Sequence, residues 1–226
     1  MSIEPIVKIK TDFDPSEAET VSFSKKKTNP DGSVESTKCT ITIVNSESSE
    51  EAFLYLLSQF KHARRTLEWT GGDDLANKFS QTLQGSYLED WNDMVQAVQD
   101  IEDENRDNAE EDGEEPPAPP VHDEAWFDAL LEDMKFKIFK QDDWNEMKEY
   151  ISTVRKPMDM SPRQLEKKLR HLETLSAQLP SAPRKLFTAN ERKQNYLRAM
   201  PDEFKKHFKL ANLSIEEESL ATMRNF

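Results

Sequence analysis

The sequence is poor in the residues on which most active sites are built. It holds one cysteine, Cys39, which excludes an internal disulfide and any cysteine-based zinc site. Its five glycines leave little room for a phosphate-cradling loop, and the close pair Gly71-Gly72 has neither a following Lys-Ser/Thr nor GxGxxG spacing. No apolar run approaches the ~18 residues a membrane-spanning helix needs. Met1 to Lys10 lacks an apolar signal core, so secretion is not expected. The four histidines, His62, His122, His171 and His207, are neither paired at i, i+4 nor set in HExxH, and read as solvated side chains. No EF-hand spacing surrounds Gly113, and no GxSxG or paired-aspartate motif occurs. The expectation is a protein that is not an enzyme, with no catalytic residues, cofactor or metal.

Charge is abundant but unevenly placed. The 226 residues carry a formal net charge of −14. Residues 100–124 hold 12 acids and the single base Arg106, a net of −11. Residues 125–226 are net +3, and within them 155–210 reach +8 through doublets such as Lys167-Lys168, Arg184-Lys185, Arg192-Lys193 and Lys205-Lys206. Such doublets can track phosphates, although solvated helix faces give the same pattern.

Periodicity gives the architecture. Ile3 to Lys10, Thr20 to Ser24 and Lys38 to Val44 alternate as strands do, and Asn29-Pro-Asp-Gly32 is a turn, so a β-hairpin is expected over 19–44. From Ser48 onward apolar residues recur every three or four positions. Ser48, Ser86, Thr188 and Ser214 each precede a Glu by three residues, the spacing of a capping box, and Ser161-Pro162 is a helix start. Gly71-Gly72 is expected to stop the first helix, and Asp142 or Asp143 to cap a later one. Leu165, Leu169, Leu172, Leu175 and Leu179 outline a long amphipathic helix ended by Pro180. Like-charge repulsion and the prolines 116, 117, 119 and 120 predict a disordered loop over 102–122. The expected cores hold Phe53, Phe60, Trp91, Trp126 and Leu130 in a first lobe over 1–140. In a second lobe over 141–226 they hold Trp144, Leu165, Leu169, Leu172, Tyr196, Met200 and Phe204.

The order of these segments resembles the capsid region of Gag from long-terminal-repeat retrotransposons and retroviruses. The resemblance is carried by Phe53 to Leu67, Leu83-Gln-Gly-Ser-Tyr-Leu-Glu-Asp-Trp91, Trp126-Phe-Asp-Ala-Leu130 through Phe139, Val154 to Leu172, Tyr196-Leu-Arg-Ala-Met-Pro201 and Leu213 to Phe226. Val154 to Leu172 resembles the major homology region, with Lys156-Pro157 where that family carries Gln-Gly and Ala199 where it carries Gly before Leu-Pro. These departures favour a retrotransposon branch, copia-like or gypsy-like. The resemblance implies a mainly α, two-lobe helical capsid fold with a short N-terminal hairpin. It implies self-assembly into a pentamer- and hexamer-based shell, RNA enclosed directly or through other Gag regions, no membrane span, and residence in cytoplasmic virus-like particles. Its residues here would be Arg155, Lys156, Pro157, Leu165, Leu169 and Leu172 in the homology-like region, Arg192 on an assembly surface, and Lys167, Lys168, Lys205 and Lys206 against RNA. The alternative is a domesticated Gag-derived interaction module that does not assemble.

Overall fold

The computed structural model describes residues 14–111, 121–141, 143–183, 185–211, 213–215 and 217–225. The expected strand over 3–10, the proline run 116–120, Asp142 and Arg184 lie outside them. The chain is mainly helical with one antiparallel hairpin, and the described residues form two compact units, 14–138 and 139–225.

The first unit opens with β1 (Thr20–Thr28) and β2 (Val34–Thr42), in register from Thr20 opposite Thr42 to Thr28 opposite Val34. The turn closes as expected. Gly32 takes φ +83°, and the Asp31 carboxylate accepts from the Ser33 amide at 2.9 Å. Pleating puts Val21, Phe23, Cys39 and Ile41 on one face and Ser22, Ser24, Lys26, Ser36 and Lys38 on the other. The apolar face packs on α1 (Glu50–Thr66), where Gln59 accepts the Thr42 amide at 2.8 Å. After the hairpin, Val44 makes a parallel bridge to Leu83.

Helix α1 begins one residue later than its sequence signature suggests. Ser49, not Ser48, is the cap and accepts the Ala52 amide, while Ser48 joins a local turn with Asn45. It ends before the glycine pair. Glu68 adopts φ +52° and the Trp69 amide reaches back to the Arg64 carbonyl at 3.0 Å, a Schellman-type stop built without glycine. The pair Gly71-Gly72 instead begins α2 (Gly72–Ser80).

Helix α3 (Gly85–Glu111) departs most from expectation. It starts at Gly85, so Ser86 lies inside it rather than capping it, and it continues through residues 102–111, where sequence reading placed a disordered loop. The first half is anchored by Trp91, and extending an existing helix adds a hydrogen bond for each residue fixed. Pairs such as Arg106–Asp103 at 3.3 Å offset part of the repulsion.

With α4 (Glu124–Ile138), the four helices each give one ring to an aromatic cluster. Phe60, Phe79, Trp91 and Phe127 lie with centroids 4.7 to 6.1 Å apart, mostly edge to face, and all four are buried. Phe127 takes the central place expected of Trp126, which is half-buried. Arg64 fastens α1 to α4 by pairing with Glu124 and Asp128.

The second unit comprises α5 (Asp143–Thr153), α6 (Pro162–Ser176), α7 (Ala189–Ala199), α8 (Asp202–Leu210) and α9 (Leu220–Asn225). Helices α5, α6 and α7 pack on one another. Met147, Ile151, Leu165, Leu169, Leu172, Tyr196, Met200 and Phe208 are buried in the core, whereas Trp144 and Phe204 are half-buried. The leucine helix stops at Ser176, and Leu179 is buried in the turn that follows. Both Ser161 and Thr188 form full capping boxes, with Gln164 and Glu191. The last helix is capped by Ser219, which accepts the Thr222 amide, not by Ser214.

Candidate functional site

Residues 154–176 form a turn followed by a capped helix. Pro157 cannot donate a backbone hydrogen bond, and the residue before it is held extended. Lys156 uses that geometry to donate its amide to the Ala199 carbonyl at 2.8 Å, pinning the turn to the end of α7. Arg155 folds its guanidinium onto the Thr153 and Val154 carbonyls at 3.1 Å, where α5 ends and positive charge is favoured. Pro157 accepts the Met160 amide, and Met158 projects fully into solvent. Leu165, Leu169 and Leu172 all face inward, so their role is to seat α6.

A polar cluster lies against that seat. The Glu166 carboxylate is buried and pairs with Arg170 at 2.7 Å and with Arg224 of α9 at 3.1 Å. Tyr196 of α7 is buried beside it. Burial, reinforced by the Glu166 charge and partly offset by Arg224, pushes the Tyr196 phenol up to about 12. Arg192, expected on an assembly surface, forks onto Glu173 of α6, with Nε to Oε2 at 2.8 Å and Nη2 to Oε1 at 2.6 Å. Its guanidinium is thus committed within the unit.

The basic residues separate into two kinds. Lys167 is exposed and Lys168 half-buried, and neither forms an ion pair among the described residues. Lys205 is paired with Asp202 at 3.0 Å, and Lys206 is exposed. The first doublet is on α6 and the second on α8. A groove of about 350 Å³ lies nearby in the same unit, lined by Leu197, Phe208, Leu213 and Ile215 with Gln194 and Lys209 at its polar side.

In the first unit the structure assembles a site that sequence reading missed. His122, read from sequence as solvated, is largely buried between two carboxylates. Its Nδ1 lies 2.7 Å from Asp73 of α2, and its Nε2 lies 3.0 Å from Glu102 of α3. The partners stand 49 and 20 positions away, so no local spacing announces them. His62 and His207 are exposed, as read. Among the described residues no group of three or more His, Cys, Asp or Glu side chains is arranged to hold a metal ion, and no helix is long and apolar enough to cross a membrane.

No protein-family model, curated protein or solved structure matches the chain.

Proposed function

We propose that the chain is a structural, Gag-like capsid protein that self-assembles into the shell of a virus-like particle. The carrying observation is the pairing of two compact helical units with a homology-like turn and helix, 154–176, seated in the second. Weak contacts repeated over many copies make a cooperative shell without any strong single interface. In this reading the shell encloses the element's RNA in the cytoplasm. The exposed cations of α6 and α8, Lys167 and Lys206 first, face phosphate. Salt-dependent RNA binding that loses slope in K167E and K206E variants tests that part separately.

Assembly is tested by concentrating the purified chain in moderate salt and imaging it by negative stain. Regular particles are expected. A monomer by light scattering across salt and concentration overturns the assembly reading and leaves the interaction module, for which the groove beside Phe208 is the place to look.

A further inference from the structure

The contacts of His122 join three segments distant in sequence. Its ring stacks on the Trp126 indole, with centroids 4.0 Å apart and planes 9° from parallel. Its backbone carbonyl accepts the Gly72 amide at 2.8 Å. That approach leaves no room at Gly72: a Cβ there would lie 2.4 Å from the Asp123 carbonyl oxygen and 2.8 Å from the Trp126 ring. The imidazole is therefore held in place from below while its two nitrogens face Asp73 Oδ1 and the Glu102 carboxylate.

A neutral imidazole carries one N–H, and an ionised carboxylate can only accept. Both contacts are satisfied together only when the ring is an imidazolium. A flat cation on an indole face gains further from the ring's quadrupole. The other charges around it are already engaged. On α2, Asp74 is paired with Lys78; on α3, Asp103 is paired with Arg106. Beside the ring, Asp123 accepts the Trp126 amide and Glu124 is paired with Arg64 of α1. Past Glu102, residues 103–108 of α3 are exposed apart from half-buried Arg106.

We propose that His122 is a proton-operated clasp that ties the acidic end of α3 and the chain's return into α4 to the start of α2, and that deprotonation releases that end of α3. Burial of the ring opposes its charge, but the hydrogen bonds it donates to Asp73 and Glu102 and their negative charge outweigh it, holding the proton affinity above the ordinary 6.5. The sign follows from linkage. The contribution is complete below the unfolded histidine's value and is lost as pH rises through the higher folded value. The clasp is closed below the unfolded histidine's value and opens as pH rises through the higher folded one.

The test follows the His122 ring by NMR in the full chain, together with amide exchange over 98–108 corrected for intrinsic rates. The ring should titrate above 6.5, and protection over 98–108 should fall about tenfold across that midpoint. D73N and E102Q should each lower the midpoint, and H122Q should abolish the step in protection. A ring midpoint at or below 6.5, or the same step in H122Q, overturns the proposal. Should H122Q fail to fold, the midpoints of D73N and E102Q decide alone.

Discussion

Arg192 grips Glu173 through two nitrogens and both carboxylate oxygens, welding α7 to α6 at a half-exposed edge. Fork-to-fork geometry is what lysine cannot reproduce. R192A should cost about 1 kcal/mol in urea unfolding of the second unit, the upper range for a partly exposed pair, and R192K should recover less than half of it. A neutral R192A would show that the pair adds nothing to holding α7 on α6.

Trp91 is 1 % exposed, with Phe79 at 4.7 Å and Phe127 at 6.0 Å. W91A removes a ring from the cluster where α1, α2, α3 and α4 meet through aromatics. A loss of ~3–5 kcal/mol is expected, read from the transition of the first unit. A loss under ~1 kcal/mol would place the indole outside the core.

The adjacent glycines should respond differently. Gly71 has φ +83° and ψ 131° with open space around its Cβ position, so G71A and G71N alike meet only backbone strain of about 1–3 kcal/mol. At Gly72 the obstacle is the backbone of residues 122–123. G72A must push α2 from the start of α4, an overpacking cost of about 1–3 kcal/mol, and should also shift the His122 ring resonances. A shift of the His122 ring resonances in G71A as large as that in G72A would contradict the steric account.

Tyr196 supplies an alkaline signature. Its Oη is buried without a hydrogen-bond partner among the described residues, so Y196F should be neutral or slightly stabilising. A phenol raised to about 12 keeps its proton in the folded chain after the unfolded chain has lost it, near 10. Stability should therefore fall as pH rises from about 10 to about 12, at up to ~1.4 kcal/mol per unit, and Y196F should flatten that decline. An unchanged decline in Y196F would assign it to other groups.

Local signals in this sequence were legible and distant ones were not. The Asn29–Gly32 turn, the Ser161-Pro162 helix start and the capping box at Thr188 are complete within four residues, so their chemistry is visible in one stretch of sequence. The stop after Thr66 was misplaced because it uses Glu68 in a left-handed conformation usually given to glycine. The acidic end of α3 is hidden from local sequence because the repulsion within it is visible there and the anchorage of Trp91, further back along the helix, is not. Among the site residues, Leu165, Leu169 and Leu172 announced their buried face by spacing, whereas nothing near His122 names Asp73 or Glu102.

The scarcity of thiols has a practical outcome. Cys39 is half-buried on β2, opposite Phe23 on the face that covers α1. Since it is the one sulfhydryl in 226 residues, an alkylating reagent added to the intact chain can mark a single place. The rate of that reaction, compared with the unfolded chain's, reports how far this face of the hairpin shields the thiol, a probe that needs no engineered residue.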